Sequence, residues 1–211
     1  MKLTQKKLKD IVEGALLAAG RPLSLDELAA IFEDGERPTA PQLKKALGVL
    51  DKEYAERAVE IKAVGSGFRI QVRAELAPWI QRLWEERPTR YSRALLETLA
   101  LITYRQPITR AEIEEVRGVS ISTSIMKTLQ DREWIRIVGY RDVPGRPAMY
   151  GTTKQFLDYF GVKSLDELPS LAELRDIEPL TPELPFGDEP ATLEDADADA
   201  SEGSAAPPTT H

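Results

Sequence analysis

Tyr104-Arg105-Gln106-Pro107 sets an aromatic ring and a guanidinium side by side just ahead of a proline. Exposed, that pair would anchor a protein partner, because tyrosine and arginine dominate binding hot spots. Buried, the ring would close a core, and the sequence leaves both readings open. Arg90, Arg93, Arg110, Arg117, Arg136, Arg141 and Arg146 crowd the same half of the chain. They read either as a solvated face with some salt bridges or as an interface, where arginine is enriched. The segment Arg141-Asp142-Val143-Pro144-Gly145-Arg146-Pro147 is stiffened by two prolines and a glycine. It suits a rigid loop tip and a preorganised binding loop equally.

Other chemistry is thinly supplied. The 211 residues hold no cysteine and one histidine, His211, at the very end. Thiolate metal sites, disulfides, cysteine nucleophiles and a Ser-His-Asp triad are therefore ruled out. No glycine-rich loop ending in Lys-Ser or Lys-Thr offers to hold a nucleotide. Only carboxylates remain for catalysis, so no enzyme activity, cofactor or metal is expected.

Charge narrows the partner class. The net charge of −7 comes from the end of the chain: residues 176–211 carry ten acidic groups and no Lys or Arg. Residues 1–175 then hold 28 basic against 25 acidic groups. A DNA reader needs a basic stripe to neutralise phosphates. Here Lys44, Lys45 and Lys52 are offset by Asp51, Glu53 and Glu56, and Lys127 and Arg132 by Asp131 and Glu133. Intrinsic DNA binding is expected to be weak.

These residues need a scaffold, and a repeat supplies it. Pro22-Leu23-Ser24-Leu25-Asp26-Glu27-Leu28 matches Pro107-Ile108-Thr109-Arg110-Ala111-Glu112-Ile113 at an offset of 85 residues. Both copies hold a capping box, Ser24 with Glu27 and Thr109 with Glu112, which marks a helix start. Apolar spacing predicts helices over 6–19, 25–33 and 40–56, then a hairpin of 59–64 and 68–72 around Gly65-Ser66-Gly67. The second copy predicts helices over 92–104, 110–117 and 122–133, then strands over 135–140 and 148–152. A helix over 153–160 follows, and Ser164 with Glu167 predicts one more capping box.

Helix, helix, helix, hairpin, twice, is a tandem of winged-helix domains, mainly α with small β-hairpin wings. The expected units are 1–77, a connecting helix or linker over 78–89, 90–169, and an acidic Pro/Ala-rich disordered tail over 170–211. The connecting helix is read over 74–85, anchored by Trp79, Ile80 and Leu83. Leu184-Pro185-Phe186 is the one candidate motif in the tail. No apolar run reaches the ~18 residues of a membrane span. The amphipathic start, with Leu8, Ile11, Val12, Ala15, Leu16 and Ala19 at helical spacing and Asp10 and Glu13 between them, reads as a helix rather than a signal peptide.

The blocks LLETLALITYRQPITRAEIEEVRGVS and IRIVGYRDVPGRPAMYGTTKQFLDYFGVKSLDELP strongly resemble the segregation and condensation protein B family, ScpB. The likeness spans roughly residues 6–169, is most specific from Ala94 to Pro169, and leaves the tail outside. It implies a cytoplasmic, nucleoid-associated homodimer that binds the kleisin ScpA, and through it an SMC ATPase, to support chromosome condensation and segregation. On that basis the partner-binding residues are expected to be Tyr104, Arg105, Gln106, Pro107, Arg117 and Gly118 near the turn, and Arg141, Pro144, Gly145 and Arg146 in the wing. The 90–169 unit would grip the kleisin. The 1–77 unit would make the dimer through Leu8, Ile11 and Leu16, some of which must also line its own core. DNA contacts would be weak or arise only within the complex. The rival reading is a winged-helix DNA-binding transcriptional regulator.

Overall fold

The computed structural model describes residues 4–83 and 91–170. Readings that fall on Trp84, Glu85, Arg87-Pro88-Thr89, Arg90 or the acidic stretch 171–211, including Leu184-Pro185-Phe186, lie outside those residues.

The first half opens with α1 (Gln5–Ala19), α2 (Leu25–Ala30) and α3 (Ala40–Glu53). Leu8, Val12 and Leu16 recur every fourth residue, so one stripe of α1 faces Leu43, Leu47 and Leu50 of α3, with Leu28 and Phe32 closing the core. Fully burying each such side chain contributes about 1.5–3 kcal/mol. The helix starts are capped as the sequence predicts. The Thr4 hydroxyl accepts from the Lys7 amide at 3.2 Å. Ser24 accepts from the Glu27 amide at 3.2 Å while Glu27 accepts from the Ser24 amide at 2.9 Å. The start of α3 has a further reciprocal partner, since Gln42 accepts from the Thr39 amide at 2.8 Å.

Two helices are shorter than their apolar spacing suggests. The second ends at Ala30 rather than residue 33, and the third at Glu53 rather than residue 56. Tyr54 turns inward there, and its hydroxyl donates to Glu13 at 2.5 Å. Strands β1 (Val59–Val64) and β2 (Gly67–Val72) pair antiparallel from Val59↔Val72 to Val64↔Gly67. Leu23 and Phe68 exchange two backbone hydrogen bonds of 2.9 Å, tying the approach to α2 onto this hairpin. Gly67 permits that approach: its φ is +150°, and a Cβ would lie 2.1 Å from the Leu23 carbonyl oxygen.

The dimer residues taken from the sequence are corrected here. Leu8 and Leu16 are each 3 % exposed and belong to the first core, with Ile11 packed against it. Helical periodicity identified a buried face, and that face serves this chain's own core. The connecting helix is corrected too. Among the described residues it breaks into a 3-10 turn (Ala74–Leu76), the single α-turn α4 (Ala77–Ile80) and another 3-10 turn (Gln81–Leu83). Trp79 and Leu83 are exposed rather than anchored.

The second half repeats the order with α5 (Arg93–Arg105), β3 (Ile108–Thr109), α6 (Arg110–Arg117), α7 (Thr123–Asp131), β4 (Ile135–Tyr140), β5 (Ala148–Thr152) and α8 (Lys154–Phe160). Its sheet runs β3-β5-β4, all antiparallel, with Ile108 opposite Tyr150 and Ile137 opposite the same Tyr150. The core joins Leu95, Leu99 and Ile102 of α5 to Ile113, Met126, Leu129 and Phe156. Trp134 is fully buried in it and packs edge-on against Tyr91 at 5.1 Å. The last expected capping box is absent: Ser164 makes no cap bond, and Glu167 accepts instead from the Lys163 amide at 2.8 Å.

Candidate protein-binding surface

The turn from α5 into α6 gathers most of the predicted site residues, and local structure explains several of them. Gly118 ends α6 in the left-handed region at φ +70°, and its amide donates to the Glu114 carbonyl at 2.9 Å. That is a helix stop with open space beyond it. Gln106 serves as an internal tie. Its carboxamide oxygen accepts from the Thr152 amide at 2.6 Å, and its nitrogen donates to the Thr103 carbonyl at 3.2 Å. The tie joins the end of α5 to the end of β5, so Gln106 is corrected from contact residue to brace. The Gln106-Pro107 peptide is cis, and Pro107 itself is exposed. Tyr104 is half-buried and its hydroxyl donates to the Pro169 carbonyl at 2.7 Å, a bond that ties the end of the described chain to α5. Neither the exposed anchor nor the buried core ring describes it.

The arginines divide into two sets. Arg93 and Arg117 both pair with Glu97, at 2.9 and 3.3 Å; Arg110 pairs with Glu114 at 3.0 Å, and Arg141 with Glu112 at 2.5 Å. Arg117 is only 10 % exposed at its side chain and pairs within its own half. Among the described residues Arg105, Arg136 and Arg146 form no ion pair and are exposed. Arg146 sits with Gly145 at the wing tip, both at positive φ, +40° and +85°. The Arg146 amide donates to the Val143 carbonyl at 2.9 Å.

Three of the predicted residues line one groove of about 420 Å³. Arg105 and Pro107 form one wall, and Arg141 reaches in from the wing. Ile108, Glu112, Glu115 and Val116 complete it. Tyr104, Arg117, Gly118, Pro144, Gly145 and Arg146 do not line it. Sequence reasoning missed Glu115 and Val116. The signal was there, because positions three and four residues after the capping Glu112 share its helix face. Val116 is 44 % exposed among these charged neighbours.

Charge in the groove is balanced, and its Glu112–Arg141 pair is fixed. Glu112 is held below the usual carboxylate range, first by the Thr109 backbone amide and then by the Thr109 hydroxyl and Arg141. It stays ionised and holds Arg141 in place. Glu114, next along α6, is lowered by the Ile121 amide and by Arg110. A groove lined by apolar residues together with two arginines and two glutamates can hold a segment carrying an apolar side chain flanked by charges of both signs. It is a poor phosphate rail, because its carboxylates repel the backbone of a nucleic acid. Among the described residues no cluster of His, Asp or Glu is placed to hold a metal ion.

The model of the segregation and condensation complex subunit ScpB family matches residues 10–171. Similar proteins include the segregation and condensation protein B homolog of Coxiella burnetii, 51 % identical over 94 % of this chain and 95 % of its own length. The segregation and condensation protein B of Syntrophotalea carbinolica is 43 % identical over 81 % of this chain and 85 % of its own. Among solved structures, ScpB from Mycobacterium tuberculosis is 32 % identical over 77 % of this chain and 99 % of that one, with a TM-score of 0.36.

Proposed function

The chain belongs to the ScpB family, and from that premise we propose that it is a non-enzymatic accessory subunit of the bacterial SMC complex. It binds the kleisin ScpA as a homodimer, reaches the SMC ATPase through the kleisin, and supports chromosome condensation and segregation in the cytoplasm, at the nucleoid. The observation that carries this reading is the family match across residues 10–171, which takes in both helical halves. Each half is a winged-helix unit used for gripping protein. The ion pairs support that use: four arginines of the second half are neutralised by its own glutamates rather than left for phosphates.

Kleisin binding is assigned to the 90–169 unit, at the groove of Arg105, Pro107, Glu112, Glu115, Val116 and Arg141. Dimerisation is assigned to the 1–77 unit. With Leu8 and Leu16 buried, the side of α1 left for it includes Leu17, which is 60 % exposed.

Size exclusion with light scattering, run on the purified chain with ScpA of its own organism at low and high salt, tests this reading. A complex holding two copies of this chain at both salts is expected. No complex, together with tight duplex binding that fades with salt, would instead establish the DNA-binding regulator.

A further inference from the structure

Each half has its own core, and among the described residues a contact joins them at the edge of the second core, where Leu157 packs. The turn between β1 and β2 rests on α8. The Ser66 amide donates to the Asp158 carboxylate at 2.8 Å, and Arg69 donates to the Asp158 backbone carbonyl at 3.0 Å. Asp158 is 7 % exposed, an unusual place for a carboxylate unless it is hydrogen-bonded. Behind Arg69 runs a relay across the hairpin. Its Nε donates to Gln71 at 2.9 Å, Gln71 donates to Glu60 at 2.8 Å, and Glu60 pairs with Arg73 at 3.6 Å. The guanidinium is thereby aimed before it meets α8.

The steric fit is equally particular. A Cβ on Gly65 would lie 2.6 Å from the Leu157 Cβ and 3.2 Å from the Lys154 carbonyl oxygen, both on α8. Gly65 has an ordinary φ, so its lack of a side chain is explained by this approach and not by backbone conformation. Val64, one residue earlier, is buried and belongs to neither core.

We infer that the β1–β2 turn and α8 form a latch that holds the two halves in one orientation, with Asp158 as the catch and Gly65 as the seat. The contact is small: one carboxylate, one guanidinium and a glycine-sized approach. Its release leaves both cores complete, so the halves can separate without unfolding. A partner that touches both halves then reads one orientation, and one held by a single half is indifferent to it. The latch stands on the chain's own geometry and does not rest on the identity of the partner.

Amide hydrogen exchange on the full chain tests it, with small-angle scattering alongside. Asp158→Ala removes the acceptor of the Ser66 amide, Gly65→Ala adds a methyl group against α8, and Gly48→Ala, with nothing within 4 Å, is the control. Both latch variants are expected to speed Ser66 exchange at least about tenfold, the scale of losing a hydrogen bond to a charged group. The radius of gyration should rise, while the amides of Ile61, Ile70, Ile102 and Leu129 keep their protection. Should Asp158→Ala fail to fold, Gly65→Ala carries the test alone. Unprotected Ser66 in the unaltered chain, unchanged exchange in the variants, or acceleration shared equally by Ile61 and Ile70 would overturn the inference. The last result would mean that the hairpin frays and no latch opens.

Discussion

Ser24 and Thr109 begin equivalent helices, 85 residues apart, and the two copies around them use the same parts to different ends. In both, the residue before the cap pairs with the second hairpin strand, Leu23 with Phe68 and Ile108 with Tyr150. In both, a glutamate returns to the cap amide. The copies part at the hairpin tip. The first turn is short and tucks its glycine against α8. The second is a seven-residue wing whose Arg141 reaches back to Glu112 and walls a groove. At the offset of 85, groove residues Arg105, Glu115 and Val116 correspond to Gly20, Ala30 and Ile31, so the first copy keeps the apolar position and the capping Glu27, paired with Arg21, but lacks two of the charges. The copies thus differ in hairpin length and in two charged positions beside a shared apolar one.

The largest expected effect tests whether the two cores are separate. Trp134→Ala should cost about 3–5 kcal/mol and Leu28→Ala about 2–5 kcal/mol. Chemical denaturation with residue-level hydrogen exchange should show each loss confined to its own half. Equal loss of protection in both halves would mean a single cooperative unit.

Next in size, the glycines should separate by their surroundings. Gly67→Ala meets the Leu23 backbone and should cost upward of about 2 kcal/mol, whereas Gly118→Ala has open space and only the left-handed strain of about 1–2 kcal/mol. Thermal midpoints of the two variants check the order.

The caps should differ less. Ser24→Ala and Thr109→Ala should each cost about 0.5–2 kcal/mol, with Thr109 at the upper end because it is buried and also sits in β3. Urea titrations measure both.

The smallest effects are in pH. Glu27 is brought from 4.5 to about 2 by the Ser24 amide and Arg21, and Glu112 is lowered as well. A depressed carboxylate stabilises the fold above its ordinary pKa, so the Glu27 cap should weaken as pH falls from 4.5 toward 2 and the Glu112 cap as pH falls below 4.5. Alkali should act on both halves, because burial and the bond to Tyr159 also raise the Tyr91 phenol in the second. Burial and the bond to Glu13 push the Tyr54 phenol from 10 up to about 12, so its contribution is complete below pH 10 and lost on the way to 12. Melting curves of a Tyr54→Phe variant should lack that alkaline step.

Much of this scaffold was legible in the sequence, because capping boxes, apolar periodicity and a Gly-Ser-Gly turn are local signals. The second-copy strands and α6 fall where the spacing put them. What was illegible depends on what lies across the fold. Periodicity showed that Leu8 and Leu16 are buried but not against what. Gln106 looked like a contact residue because its partner, Thr152, is 46 residues away. The run of residues 74–85 looked helical by composition, yet its described part, 74–83, breaks into three short turns. Asp158 carried no motif at all; only the hairpin that reaches it gives it a role.

The central proposal is that the second copy's groove grips the kleisin, with the equivalent position of the first copy as the comparison. Titration calorimetry with ScpA tests it most directly, using Val116→Asp and Arg105→Glu against Ile31→Asp. These residues are exposed, so folding should survive each change. The account predicts binding at least about tenfold weaker for the two groove variants, on the scale of an interface hot spot, and unchanged binding for Ile31→Asp. Full affinity in Val116→Asp and Arg105→Glu, or an equal loss in Ile31→Asp, would contradict it.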